Sequence, residues 1–174
     1  KGTTERGELT RDTIKGYLLE DESKFGKLYV GANGNLWVYG DLQEDYPEWE
    51  YGKKDFFKGG VIFADLSGTH FEGSDFSDAH LEATNLSNAY LIGASFSGAV
   101  LTKTNLFNAK AFAANFEHSH ILGTMFLGTN LREARFLQAD ILGAYFQSSD
   151  LEGASFRFAN IKNSNFIRAN IDEN

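Results

Sequence analysis

The stretch A-D-L-S-G-T-H-F-E-G, residues 64–73, contains two five-residue units that share one plan. Each unit begins with a small residue, has a large apolar centre two positions later, and contains three further residues. The plan continues to residue 173 without an insertion or deletion, giving 22 units. The small residue is always Ala, Ser or Thr, and the centre is Leu, Ile or Phe in every unit except the one centred on Ala111. A repeat of this regularity decides the fold of the segment that contains it.

A period of five fits neither an α-helix nor a β-strand, whose side chains recur every 3.6 and every two residues. The chain must therefore turn once per unit, so that the large centres and the small residues meet around one axis. Fixed short periods are typical of solenoids, in which each coil stacks only on its neighbours.

The types of centre at every fourth unit indicate how many units form one coil. At this step, the set from Phe76 is entirely Phe, the set from Leu81 is entirely aliphatic, and the set from Leu66 changes from Leu to Phe. Like side chains that stack directly on one another pack as ladders. The pattern predicts a four-sided coil made of four units, hence about 5.5 coils and a length of roughly 26 Å at ~4.8 Å per coil.

Four units show the resemblance to a known family most clearly: A-D-L-S-G at 64–68, T-N-L-S-N at 84–88, A-S-F-S-G at 94–98 and S-D-L-E-G at 149–153. They resemble the pentapeptide-repeat family, and the resemblance covers residues 64–173. It implies an all-β solenoid, a right-handed quadrilateral β-helix, with the centre and the small residue pointing inward and the other three positions outward. The period itself predicts the four-sided coil, whereas the handedness is implied by the resemblance alone.

Residues 1–60 follow a different pattern, and we interpret them as a small α+β cap on a β-helix of residues 61–174. Thr10 is a candidate N-cap for a short helix that ends before Gly26. A cap would cover the open core and the unpaired backbone groups of the first coil.

A β-hairpin is predicted within this cap. Residues 27–32 and 35–40 carry alternating apolar side chains and flank Asn33-Gly34, the strongest short hairpin signal. The alternative to a cap is a small binding module built on the aromatic residues Trp37, Tyr39 and Trp49.

Composition limits the classes of function. The net charge of −8, with 7 basic and 12 acidic residues in 64–174, argues against direct binding of nucleic acid, which needs basic stripes. There is no cysteine, and no apolar run reaches the length of about 18 residues that a membrane span needs. The first residues contain no signal-peptide core, but a leader could have been removed, so we expect a soluble protein that is cytoplasmic or, in that case, lumenal or periplasmic.

No catalytic, metal or cofactor site is predicted. His80 and His120 would lie on one side but two coils apart, ~9.6 Å by strand spacing, which is too far to share a metal ion. Asp and Asn before many centres, such as Asp75 and Asn105, are expected to hydrogen-bond neighbouring backbone at turns rather than to bind calcium. No nucleophile, phosphate-binding or dinucleotide motif occurs, so no small-molecule substrate is evident and we expect no enzyme activity.

The position after each centre should face solvent, and in the middle coils it becomes large and apolar. Contiguous apolar surface on a protein usually marks a contact. The residues predicted to bind a partner are Ile92, Phe107, Phe112, Leu122, Leu127 and Leu142. The alternatives are that residues 1–60 fold back over this surface or that the residues have no common role. Ala111, in the same region, is expected to point inward, with Phe112 outside.

Two hypotheses for function follow. The first is a non-enzymatic interaction scaffold that presents a rigid β-helix surface to a protein partner or to a second copy. The second comes from the family resemblance, because some pentapeptide-repeat proteins resemble B-DNA in width and charge, occupy the DNA site of gyrase and confer quinolone protection. The acidic residues here are scattered among lysines and arginines, such as Lys103, Lys110 and Arg132, which favours the scaffold.

Overall fold

The computed structural model describes residues 27–30, 36–39 and 66–172. Its strands are β1 (Lys27–Val30), β2 (Leu36–Tyr39), β3 (His120–Leu122), β4 (Asp140–Leu142) and β5 (Asn160–Lys162). None of the described segments contains a helix long and apolar enough to cross a membrane.

Residues 66–172 form a right-handed quadrilateral β-helix, as predicted. Single-residue parallel bridges join each unit to the fourth unit after it along the whole block, from His70–Tyr90 to Asp150–Asn170. On one side the bridges lengthen into the parallel ladder β3-β4-β5, in which Ile121 pairs with Ile141 and Ile141 with Ile161. The four-unit coil inferred from the types of centre is therefore confirmed.

The coil has four sides, which we number in chain order by their centres. Side 1 has the centres Leu66, Leu86, Leu106, Phe126, Phe146 and Phe166. Side 2 has Phe71, Leu91, Ala111, Leu131, Leu151 and Ile171. Side 3 has Phe76, Phe96, Phe116, Phe136 and Phe156. Side 4 has Leu81, Leu101, Ile121, Ile141 and Ile161.

Backbone hydrogen bonds join successive coils at two points in most units. The centre donates its N–H to the next coil, as Leu66 does to the carbonyl of Asn85 at 2.8 Å, and the preceding residue donates to the previous coil, as Tyr90 does to Thr69 at 2.9 Å. A turn bond closes most units, such as Ala79 N–H to Phe76 C=O at 3.0 Å. Backbone polar groups deep in the solenoid are thus paired without long strands.

The third residue of each turn lies at positive φ, which places the corners of the coil in the left-handed region. Eight of these corner residues are glycines, but thirteen are not, among them Lys103 (φ 54°) and Asn108 (φ 52°). A left-handed conformation disfavours residues with a Cβ by about 1–2 kcal/mol. The coil therefore contains local backbone strain at many corners, which is offset by the continuous core and the hydrogen-bonded ladder.

The core consists of the centres and the small residues, buried from Leu66 to Leu151. The predicted Phe ladder of side 3 is confirmed, with parallel rings whose centroids lie 4.9 Å apart for Phe96–Phe116 and for Phe116–Phe136. Phe126 and Phe146 on side 1 stack in the same way at 4.7 Å. Rings of the two sides meet edge to face across the core, as Phe116 and Phe126 do at 5.6 Å.

Hydroxyl groups among the small inward residues are satisfied by backbone carbonyls. Thr104 Oγ1 donates to the carbonyl of Leu81 and Thr129 Oγ1 to that of Leu106, both at 2.6 Å. A buried hydroxyl that finds such a partner avoids the desolvation penalty of an unpaired polar group. Thr can therefore replace Ala inside the coil.

Ala111 points into the core with 0% exposure, and Phe112 lies outside with 36% exposure. This confirms the predicted orientation of the one unit without a large centre. The turn bond from Ala114 N–H to Ala111 C=O, at 3.1 Å, keeps the unit in register with its neighbours.

The predicted hairpin is present, with β1 and β2 antiparallel. A two-residue turn at Asn33-Gly34 would pair Val30 with Trp37, but Val30 pairs with Leu36. The pairing register is therefore one residue away from that of the tightest turn. The predicted helix from Thr10 and the boundary of the cap near residue 60 lie outside the described residues.

Candidate functional site

The outward apolar residues predicted to bind a partner lie on three adjoining sides. Phe107 and Leu127 are on side 1, Ile92 and Phe112 on side 2, and Leu122 and Leu142 on side 4. Five of them have exposed fractions between 36% and 45%, and Leu127 is half-buried. The structure thus places all six on the surface of the described coil.

Side 1 is distinguished by its lack of charge. Its outward positions between residues 67 and 167 include no Asp, Glu, Lys or Arg; Asp65 precedes this range and Arg168 follows it. Sides 2, 3 and 4 each carry at least four charged residues over the described coils. Loss of charge together with aromatic side chains and Met is typical of the buried centre of protein interfaces.

The apolar surface continues across the corner from side 4 to side 1. Leu122 pairs with Leu142 in the β3-β4 ladder, and Met125 bridges Tyr145 on side 1. In these two coils only a glycine and a small inward residue separate the two sides, with Gly123 and Gly143 at the corners. Because glycine adds no side chain at the corner, the two apolar strips form one surface.

We call this surface the apolar face: Phe107, Leu122, Met125, Leu127, Leu142 and Tyr145. Sequence reasoning missed Met125 and Tyr145, because only the position after each centre was compared, whereas these two residues precede their centres. Grouping all three outward positions by side would have found them, since the four-unit step was already known. Tyr145 is 45% exposed and Met125 half-buried.

On side 2, Ile92 and Phe112 are separated from the apolar face by a column of polar and aromatic residues. His70 stacks on Tyr90 with ring centroids 4.1 Å apart, and Lys110 Nζ lies 3.9 Å from the centroid of the Tyr90 ring. The cation–π contact holds Lys110 at the edge of side 1. Ile92 and Phe112 therefore lie next to the apolar face but are not continuous with it.

Two basic residues on the other sides are paired with neighbouring carboxylates. Arg132 Nη1 pairs with Glu152 and lies 3.6 Å from Asp150 Oδ2, and Arg135 Nε lies 3.5 Å from Glu117 Oε1. Lys103 and Lys110, at the two edges of side 1, are exposed and have no acidic partner within the described part of the chain.

Glu72 on side 2 is the one described carboxyl group with a resolved change in pKa. Partial burial raises its pKa, but the hydrogen bond from His70 Nδ1 at 2.9 Å, a backbone hydrogen bond and the charge of His70 together lower it more. The net effect is a pKa below its ordinary value. The carboxylate is 42% exposed, so the pair is a surface feature.

No group of potential metal ligands is formed by the residues that the structure describes. No three His, Asp or Glu side chains among them converge on a possible metal position. Asp75 and Asn105 accept the backbone N–H two residues ahead, from Ser77 at 2.9 Å and Phe107 at 3.0 Å. These bonds confirm the turn role assigned to the Asp and Asn residues from sequence.

Comparison with protein families supports the pattern of the repeats. A family model described as pentapeptide repeats matches residues 62–91, 79–110 and 142–173, with eight copies. The chain belongs to the pentapeptide-repeat family, whose members are generally non-enzymatic repeat proteins. A comparison with curated proteins finds no match.

Solved structures of the same fold are similar to this chain at low sequence identity. QnrB1, a plasmid-mediated fluoroquinolone resistance protein, is 19% identical, with 71% of this chain and 84% of that chain covered and a TM-score of 0.32. A pentapeptide-repeat protein from the thylakoid lumen of Arabidopsis thaliana is 24% identical, with 63% and 62% covered and a TM-score of 0.30. Another, from Nostoc PCC 7120, is 24% identical, with 64% and 87% covered and a TM-score of 0.31. These similarities concern the fold alone.

Proposed function

We propose that this protein is a non-enzymatic scaffold that binds a protein partner through the apolar face. The observation that carries the proposal is the absence of charge on side 1 between residues 67 and 167, combined with exposed Phe107 and Tyr145. Burying a surface of this kind has a small desolvation cost, because it has no ionised group to remove from water.

The rigidity of the coil supports this role. The outward side chains of side 1 rest on a stacked core of Leu and Phe, and each coil is hydrogen-bonded to the next. A backbone held in this way loses little conformational freedom when a partner binds. A solenoid of this kind presents a fixed array rather than an adaptable loop.

The family resemblance implies an alternative, a DNA mimic that binds DNA gyrase and protects against quinolones. A mimic of DNA needs a continuous acidic surface, since its partner recognises the phosphate backbone. The described coils carry ten acidic and seven basic residues, and Arg132 and Arg135 interrupt the carboxylates of sides 2 and 3. This distribution favours the scaffold.

The first test is a matched comparison of variants with the immobilised full chain and an extract of its source cells. Phe107→Ser combined with Leu127→Ser removes two side chains of the apolar face, and Leu137→Ser alters an outward Leu on the opposite side 3. Sedimentation equilibrium of each protein shows whether the partner is a second copy. We expect a partner retained by the wild type to be lost with the double variant and kept with Leu137→Ser.

Two results would contradict the proposal. Equal retention of every partner by the wild type and the double variant would show that the apolar face is not the contact. Inhibition or quinolone protection of purified gyrase in a supercoiling assay, undiminished in the double variant, would favour the DNA mimic instead.

A further inference from the structure

One coil of the apolar face carries positive charge at both of its edges. Lys103 lies at the corner between sides 4 and 1, Phe107 is on side 1, and Lys110 lies just past the next corner. All three side chains are exposed. An uncharged strip with an aromatic residue is thus flanked by two lysines.

Each lysine is held against the coil. A Cβ built on Gly123 would lie 3.7 Å from Lys103 Cγ, so the aliphatic stem of Lys103 runs along the corner towards the coil of Leu122 and Met125. Lys110 Nζ is placed over the Tyr90 ring. Apolar stems along the surface with charged ends in water are typical of lysine at interfaces.

The two ammonium groups lack a carboxylate among the described residues, although the chain as a whole has a net charge of −8. Arg132 and Arg135, in contrast, are paired with carboxylates on their own sides. Side 1 has no acidic residue between positions 67 and 167. Within the described part of the chain, no carboxylate neutralises the positive charge at the edges of side 1.

We propose that the partner presents an acidic peptide segment with an aromatic or aliphatic side chain, which lies across side 1 between Lys103 and Lys110. Its apolar side chain contacts Phe107 and Leu127, which occupy the same position on successive coils, and its carboxylates pair with the two lysines. Complementary charge at the rim fixes the orientation of a segment whose centre is apolar. This inference rests on the proposed function, because it specifies the chemistry of the partner at the same surface.

The net negative charge of the chain opposes the approach of an acidic peptide over long distances. Binding must therefore depend on the local lysine pair, and it should weaken as salt screens that pair. Reversing the charge of both lysines should consequently have a larger effect than the same change elsewhere on the coil.

The test measures binding of two labelled peptides to the full chain by fluorescence anisotropy. One peptide alternates Glu with Leu and Tyr, and the other has Lys in place of every Glu. The variant Lys103→Glu with Lys110→Glu is compared with Arg157→Glu and Lys162→Glu on sides 3 and 4, which changes the net charge equally. We expect the wild type and the control to prefer the acidic peptide, and the lysine variant to bind it about tenfold more weakly.

The inference is overturned if the wild type binds neither peptide, prefers the basic one, or binds the acidic one as tightly after both lysines are reversed. If the wild type self-associates and the lysine variant does so equally, the surface binds a second copy of the chain, and the inference of an acidic peptide is likewise overturned. If Phe107→Ser with Leu127→Ser abolishes retention of a partner while lysine reversal changes nothing, the inference alone fails. If neither pair of substitutions matters, the proposed function fails with it.

Discussion

Sides 1 and 3 face opposite directions and are built on the same interior, yet their surfaces differ. Phe126 and Phe146 on side 1 stack at 4.7 Å, and Phe116 and Phe136 on side 3 stack at 4.9 Å. Outside, side 3 carries carboxylates and arginines such as Glu117 and Arg135, whereas side 1 carries none between residues 67 and 167.

The difference shows that packing controls the two inward positions of each unit and leaves the three outward ones free. A core position that loses volume costs several kcal/mol, while most surface substitutions change stability by about 0.5 kcal/mol or less. An uncharged side is therefore not required by the fold. The fold therefore leaves this side free for the contact that we propose.

The largest expected effect tests whether the two interiors are equivalent. Phe116→Ala and Phe126→Ala should each lower the free energy of unfolding by roughly 3–5 kcal/mol, because each removes a fully buried ring from a stack. Denaturant unfolding followed by circular dichroism measures both. A loss below about 1 kcal/mol at Phe116 would show that the Phe stack is not the core.

The second effect concerns the corners of the two sides. Gln138 on side 3 has φ 54° and Asn108 on side 1 has φ 52°. Gln138→Gly should raise stability by about 0.5–1 kcal/mol by relieving the left-handed conformation, whereas Asn108→Gly should be nearly neutral because Asn tolerates that region. Thermal midpoints of the two variants give the comparison. Equal midpoint shifts would mean that side-chain type does not govern strain at these corners.

A smaller effect on stability is expected on the surface of side 1. Phe107→Ser with Leu127→Ser should change the free energy of unfolding by less than about 1 kcal/mol, because both side chains point outward. Leu137→Ser on side 3 is the matched control, and it should also change the free energy of unfolding by less than about 1 kcal/mol. Unfolding of the double variant alone would indicate that residues outside the described part of the chain cover the apolar face.

The smallest effect concerns the dependence of stability on pH. The pKa of Glu72 is lowered in the folded protein, so its contribution is present above the unfolded value of 4.5 and is lost as pH falls through the folded pKa. Glu72→Gln should therefore lose slightly less stability than the wild type between about pH 5 and pH 3. Ser87→Ala on the uncharged side 1 should follow the wild-type profile. A steeper loss in Glu72→Gln would contradict the direction of the pKa change.

Much of the fold was predictable because a strict period constrains every unit in the same way. The four-unit step, the Phe ladder and the inward position of Ala111 all followed from the types of residue at fixed spacing. The register of the hairpin did not follow, since Asn33-Gly34 predicts a two-residue turn but Val30 pairs with Leu36. A turn signal is local, whereas register also depends on how the strands pack.

The sequence by itself determined the four-sided coil and its core, because every unit has a small residue and a large centre at fixed positions and like centres recur at every fourth unit. It also identified six outward apolar residues, and the structure places all six on the surface. The tertiary structure decided which outward residues of different coils become neighbours and how far each is exposed. It also decided that Arg132 is paired with a carboxylate, whereas Lys103 has no acidic partner among the described residues. The physical reason is that outward side chains are free of packing, so their contacts depend on the distances and directions that the closed coil creates.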